Sequence, residues 1–587
     1  MSGIVLKDLI PEKLPSSKEL IEEGFNEARK IKIGKTLFMK EYSVSSEYKY
    51  KIEAKKRGEI MFHAHFGLNT WQESVKGLKL IYKELTMKRG FRVHRFGLNL
   101  NCVMGLPPDL RDKAPKTTGP ILKNEKDWME VGQIVPIQPH FGDHMIGSPA
   151  SVLNTKLALK AGATTIGNLS QFFTFEYPFF KDYERAIETV KALGIMAALK
   201  DKGTIVHSYL DDGYGGRFRD VSSIAGWAMV EKYIVEDLIG ARSAHCFGGL
   251  TFDPKIRMAF AIVLDKIHGL EGVGSMWYGN TITCTEDLKK NLVETAVCTL
   301  YDMALQRKNP TGHALMPVPF TEAIRIPSPE DIIETHIVVN NLKDEAEKFS
   351  ELIDWESIYK LSNFILDNAK IFYNNILKGM SEMGVNLKDP LEVFLVLRRL
   401  GARRIEELWG VAKKLTHPAK SEPMIPTDTF KLFVVDMIEK EEKKLKEKGL
   451  FKTSYFRNLK ILIASTDVHE YFLNILHNIL ASLGANIINL GPSIENPKDI
   501  VLNCKNKNPN VVVLTTHNAK ALEYAQMLNK YCIKYNIQVP IIMGGKLQQN
   551  IGGTLPVDVR EEDLKKLGII PCNDIENLVI LLSNLRS

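Results

Sequence analysis

Between residues 58 and 330 the chain alternates short apolar or β-branched segments with amphipathic stretches of helical period, and it does so eight times. The strand-like segments are 59–66, 91–98, 133–138, 164–169, 203–209, 243–247, 272–277 and 314–318. Helical spacing fills stretches such as 72–88, 149–161, 183–193, 221–238 and 254–267. A parallel strand pair needs a long crossover, usually a helix, so this pattern predicts an α/β fold with parallel strands. Eight evenly spaced units predict closure into a TIM (β/α)8 barrel rather than a long open sheet.

In such a barrel the chemistry gathers where the strands end. Eight of the 14 histidines fall in or just after a predicted strand: His63, His65, His94, His140, His144, His207, His245 and His313. Arg95, Gln138, Asp143, Asn168, Gln171, Asp211, Tyr214, Trp277, Tyr278, Asn280, Glu322 and Arg325 fall beside them. Together they predict a polar, histidine-lined mouth. His63 and His65 are two apart and share one face of a strand. No His-x-x-x-His or His-Glu-x-x-His pair on a predicted helix marks a zinc site among them.

Residues 1–57 read as an N-terminal arm without chemistry, and 331–450 as a helical extension and linker, with Pro418, Pro423 and Pro426 in its irregular part. A chain of 587 residues exceeds one hydrophobic core, so several domains are expected. The net charge of +7 is small for this length, and the lysines are mixed with glutamates, so no nucleic-acid partner is expected. Seven cysteines without a Cys-x-x-Cys pair argue for a reducing compartment, hence a cytoplasmic protein. No apolar run is long enough for a membrane span, and no signal-peptide core is expected at the N-terminus.

The last domain, 451–587, repeats the strand–helix alternation. A buried strand at 459–464 runs into Ser465-Thr466-Asp467-Val468-His469-Glu470, and a helix at 473–483 follows. Asp467 and His469 therefore sit on a loop at the carboxyl edge of a parallel sheet, where open α/β folds bind ligands. An Asp that accepts one imidazole N–H orients the other nitrogen as a metal ligand. A second strand, 511–514, ends in Thr515-Thr516-His517-Asn518, and a third, 540–543, ends in Gly544-Gly545.

These turns resemble the cobalamin-binding domain of the cobalamin-dependent mutases and methionine synthase, whose signature is Asp-x-His-x-x-Gly, Ser-x-Leu and Gly-Gly. Asp467, His469, Gly544 and Gly545 match, and Thr515 keeps the hydroxyl of the serine. Phe472 replaces the motif glycine and His517 the leucine. The resemblance implies a C-terminal flavodoxin-like (Rossmann-like) domain. It makes His469 the lower ligand to the cobalt of cobalamin, with the nucleotide tail beside Thr515, Thr516 and the glycine turn. Glycine has no Cβ, so a bulky ligand can touch its backbone.

Barrel followed by cobalamin domain resembles the adenosylcobalamin-dependent carbon-skeleton mutases, and more narrowly glutamate mutase (methylaspartate mutase) with its two subunits fused. Pro319-Phe320-Thr321-Glu322-Ala323-Ile324-Arg325-Ile326-Pro327 is similar to the segment that holds the adenosyl group, with Glu322 at the ribose contact. Val318 stands where that family has a lysine, and His65 and His140 stand where it has substrate-gripping arginines. The resemblance implies an isomerase for a small carboxylic acid, with 2-methyleneglutarate as an example. Glu322, His140 and His65 would be catalytic; Arg95, His65, His140, Gln171 and Arg325 would bind substrate. The chain is expected to act on a small molecule as a homo-oligomer. A corrinoid methyltransferase and a non-catalytic corrinoid-binding protein are the alternatives.

Overall fold

The computed structural model describes residues 6–411, 422–466, 470–491, 494, 496–516, 521–549 and 557–585. The chain divides into two compact units, Met1–Asp428 and Thr429–Ser587. Both are mixed α/β with parallel sheets.

The first unit carries eight short strands: Met61–Phe66 (β1), Arg95–Leu98 (β2), Gln138–His140 (β3), Thr165–Ile166 (β4), Ile205–Tyr209 (β5), Ser243–Cys246 (β6), Met276–Tyr278 (β7) and Ala314–Met316 (β8). Each overlaps one of the eight segments expected from sequence. One sheet runs β3-β2-β1-β8-β7 and another β4-β5-β6. Single parallel bridges, Phe141 to Ile166 and Phe247 to Trp277, link β3 to β4 and β6 to β7. Every strand thus has the next one in the chain as a neighbour, and β1 pairs with β8. Helices such as Trp71–Ile81, Ser151–Lys160, Asp182–Ala198, Val221–Lys232, Pro254–His268 and Leu288–Lys308 return the chain between them.

The N-terminal stretch is built into this unit. Helix Glu47–Lys56 packs against the starts of the strands: Tyr48 contacts Ile205, Ala244 and Val273, and Tyr50 and Ala54 contact Met61 and Ala314. Helix Ser17–Ala28 lies backbone to backbone on Asp182–Ala198, because Gly24 and Gly194 present no side chains to each other. A Cβ on Gly24 would sit 2.3 Å from the Lys191 carbonyl oxygen. Helices Trp355–Glu382, Pro390–Leu400 and Ala402–Trp409 belong to the same unit and its core.

The second unit has strands Lys460–Ser465 (β9), Asn486–Asn489 (β10), Val511–Thr516 (β11), Ile541–Gly545 (β12) and Ile569–Cys572 (β15), and a two-stranded ribbon of Gln548–Gln549 (β13) and Val557–Asp558 (β14). The parallel sheet has the order β10-β9-β11-β12-β15. Burial on both faces explains the unbroken apolar runs. Ile461, Ile463, Val511 and Val513 pack on one side with Leu476 and Leu578, while Leu462, Ala464, Val512 and Leu514 pack on the other with Ile500 and Leu528. The short strands β10, β13, β14 and β15 were not expected from sequence. Among the described residues no helix is long and apolar enough to cross a membrane.

A Gly24→Ala substitution pushes a methyl group into the Lys191 carbonyl, so it lowers unfolding stability by about 1–3 kcal/mol. Chemical denaturation measures it; an unchanged midpoint would contradict the tight helix crossing.

Candidate functional site

Strand alternation decides which histidines meet. On β1 every second residue faces inward, which brings His63 and His65 to one side, their rings 5.8 Å apart. Gly97 lies opposite His65 in the register of β2. A Cβ there would fall 2.4 Å from His65 Nδ1 and 2.9 Å from His63 Nε2, so the glycine makes room for both imidazoles. His140 from β3 stands 6.0 Å from His63, and His207 from β5 stands 4.5 Å from His140, ring centre to ring centre.

These rings have few partners. The Thr165 carbonyl, 3.2 Å from His140 Nδ1, can only accept, so Nδ1 carries the proton and Nε2 offers a lone pair. That Nε2, both nitrogens of His63 and Nδ1 of His65 are buried without a hydrogen-bond partner. His207 Nδ1 meets Ser275 Oγ at 2.6 Å.

Beneath them lie buried charges. Arg95 donates to the Ser275 carbonyl at 2.8 Å and to its hydroxyl at 3.2 Å, and its Nε is 3.2 Å from Glu47. Lys51 donates to the Gly274 carbonyl at 2.6 Å and is 3.5 Å from the same carboxylate. Burial holds Lys51 down at about 7, with the Arg95 charge acting the same way. Burial first, then Arg95, pushes His65 down to about 4 and moves His63, His140 and His207 well below the ordinary imidazole value. The four imidazoles are neutral at physiological pH.

Carboxyl groups gather where the strands end. Gln171 donates to Asp143 at 2.8 Å and to Asp212 at 3.4 Å, and Asn168 donates to Asp212 at 2.8 Å. Burial raises Asp143 to about 6, and burial plus the neighbouring Asp143 charge raises Asp212. Asp211 accepts from the Gly248 and Leu250 amides at 3.0 and 3.4 Å; burial outweighs these donors and lifts it to about 6. Glu322, after β8, keeps solvent access, yet the surrounding protein lifts its carboxyl to about 7. Tyr209 and Tyr278 stack nearby, 5.1 Å apart and nearly parallel. The arrangement offers neutral acceptors inside and carboxyl groups that exchange protons near neutrality outside.

Several expected site residues lie elsewhere. Arg95 sits at the start of its strand, committed to Glu47 and Ser275. Arg325 is half exposed and pairs with Asp331 at 2.8 Å. His245 points between strand and helix, with His268 at 2.8 Å and Glu231 at 3.2 Å. His313 meets Thr311 at 2.6 Å, and His144 meets Tyr177 at 2.9 Å. Gln138 is spent on Thr36 and Gly162, Tyr214 on the Leu397 and Arg398 carbonyls, and Trp277 on Asp302. Glu47, Lys51, Tyr209 and Asp212 were not anticipated. The spacing of four between Glu47 and Lys51 on a helix was the available signal.

In the second unit, β9 and β11 are neighbours although β10 intervenes in sequence, so the loops after them diverge at a topological switch point. Asp467, His469 and His517 lie outside the described residues. Thr515 Oγ1 is buried there without a partner. Thr516 accepts the Lys546 amide at 2.8 Å through its carbonyl. Gly545 has φ +97°, which favours glycine, while a Cβ on Gly544 would make ordinary contact, 3.4 Å from the Cys572 carbonyl. Phe472, Leu476, Thr515, Gly544, Gly545 and Cys572 line a narrow slot of about 20 Å³, the room of one water. Among the described residues no cluster of His, Cys, Asp and Glu could hold a metal ion. No protein-family model matches this chain, and no curated protein matches it significantly.

Because Asp211 titrates at about 6 when folded, folding takes up a proton between roughly pH 4 and 6, and the stability gained below that window is lost as pH rises through it. Asp211→Asn stays neutral throughout. It gains about 3 kcal/mol on the wild type between pH 4 and 7 by chemical denaturation; a pH-independent difference would contradict the raised carboxyl. Glu47→Gln leaves Arg95 and Lys51 uncompensated and costs about 3 kcal/mol at neutral pH. A loss under 1 kcal/mol would mean that Glu47 does not balance them.

Proposed function

We propose that this chain is an adenosylcobalamin-dependent mutase, an isomerase that rearranges the carbon skeleton of a small carboxylic acid. On this reading the first unit is a closed (β/α)8 barrel that binds substrate, and the second is a flavodoxin-like domain that binds the cofactor. Seven free cysteines agree with a cytoplasmic protein.

The observation that carries the cofactor assignment is Thr515 Oγ1, a buried hydroxyl without a partner at the switch-point edge. Buried polar groups are normally bonded, so this one suits a ligand with acceptors. The residues fit the nucleotide tail on their polar side, through Thr515 and Thr516, and on their backbone side, through Gly544 and Gly545. Phe472 narrows the slot, so its ring has to swing aside for the tail. His469 would hold the cobalt, with Asp467 orienting it. When bound, the cofactor supplies homolytic cobalt–carbon cleavage and thereby hydrogen-atom abstraction.

The chain's own residues bind, orient and exclude water. His140 Nε2 is an acceptor, so it takes a hydrogen bond from a substrate N–H or O–H. The Asp143–Gln171–Asp212 arrangement takes a second donor or a cation. Arg95 and Arg325 are engaged within the chain, so the interior favours an acid that also carries an amino or hydroxyl group. Glu322 would hold the adenosyl ribose, with its raised carboxyl able to donate or accept. Cys246 is the one cysteine in a strand of the first unit, short of the several thiolates a zinc site of the methyltransferase kind would take, which weakens that alternative.

Two measurements test this. Added adenosylcobalamin should bind with its own base displaced by a histidine, and His469→Ala should abolish that spectral change. Anaerobic screening of small acids should then give a paramagnetic cob(II)alamin signal with a turnover substrate. An identical spectrum with His469→Ala would refute the cobalt ligand, and methyl transfer through cob(I)alamin would favour the methyltransferase.

A further inference from the structure

The end of the first unit where strands begin holds a cavity of about 340 Å³, away from the carboxyl-lined mouth. Its walls come from the approaches to β1 and β2 and from the ends of helices Leu288–Lys308 and Pro329–Asn341. Arg92, Arg307 and Lys343 line it, and among the described residues none of the three forms an ion pair. Arg92 lies over the Tyr42 ring at 5.6 Å.

One carboxylate, Glu59, lines the cavity, and it is spent. It accepts from His94 Nε2 at 3.1 Å, from Tyr50 Oη at 2.8 Å and from Arg57 at 2.6 Å. His94 Nδ1 accepts the Phe62 amide at 3.1 Å, which fixes the Nε2–H tautomer and the direction of the Glu59 bond. Arg57 neutralises Glu59, so the three remaining cations are unbalanced. Phe62 and Phe91, 4.8 Å apart, form an apolar floor. The volume lies within the range of small-molecule sites and exceeds what a bare phosphate fills.

We propose that this cavity is a binding site for an organic phosphate monoester, with the phosphoryl group held by Arg92, Arg307 and Lys343 and the organic part on Phe62 and Phe91. Three cations lining one cavity with Asn340 beside them suit a dianion with several acceptor oxygens. The site is independent of the proposed mutase activity.

Calorimetry of the full chain with phenyl phosphate tests it, with inorganic phosphate as the smaller probe. The expected result is saturable binding of one phenyl phosphate per chain, with weaker binding of inorganic phosphate. The Arg307→Gln/Lys343→Met double variant should lose at least tenfold in affinity, while a Lys348→Ala/Lys360→Ala control on exposed helices keeps it. Circular dichroism checks folding, and the Arg92→Gln single variant, with a several-fold loss, serves if the double variant misfolds. Arg307 and Lys343 also lie at helix C-termini, where cations stabilise the helix dipole. If that is all they do, no saturable binding occurs and the proposal falls. Equal affinity in the variants and the control would place the anion elsewhere and also overturn it.

Discussion

The first unit depends on a buried contest between like and unlike charges beneath its ring of imidazoles. Arg95 and Lys51 are fully buried, and one carboxylate, Glu47, faces both. Buried ions are costly unless paired, and here an arginine and a lysine whose charge burial weakens share one anion and two backbone carbonyls. The surplus positive field has a chemical consequence: together with burial it keeps His63, His65, His140 and His207 neutral. A neutral imidazole offers one donor and one acceptor, so each ring can bind a polar group through either nitrogen.

The carboxyl groups at the other end complete this polarity. Asp143, Asp211, Asp212 and Glu322 stand where strands end, and burial raises the three aspartates above the ordinary carboxyl value. A site with acceptors inside and exchangeable protons at its rim is suited to a small polar molecule bearing donors. In the second unit the chemistry is sparser: a buried threonine hydroxyl, a glycine turn and a phenylalanine facing the same slot. The cobalamin reading joins these features by one hypothesis, in which the first unit holds the substrate and the second the cofactor.

Much of the fold was legible because buried parallel strands read as unbroken apolar runs. All eight strands of the first unit overlap the segments read from the chain, as do β9, β11 and β12. Of the strands missed, Asn486–Asn489 and Ile569–Cys572 are short and lie at the edges of their sheet, where fewer apolar residues are required, and Gln548–Gln549 and Val557–Asp558 form a ribbon only two residues long. The site was legible only in part. In strands buried on both faces, apolar runs do not reveal which side is inward, so His245 looked equivalent to His65 although it faces a helix. Arg95 reads as a free cation in the sequence because its partner Glu47 lies far back in the chain, on a helix of the N-terminal arm. Thr515, Gly544 and Gly545 were visible because their turns follow clear strands.

The account stands or falls on the charge state of the inner imidazoles. Neutron crystallography about one pH unit below the free imidazole value would locate their protons. The account predicts a proton on His140 Nδ1 toward the Thr165 carbonyl, none on Nε2, and a single proton each on His63 and His207. Doubly protonated rings at these positions would contradict it.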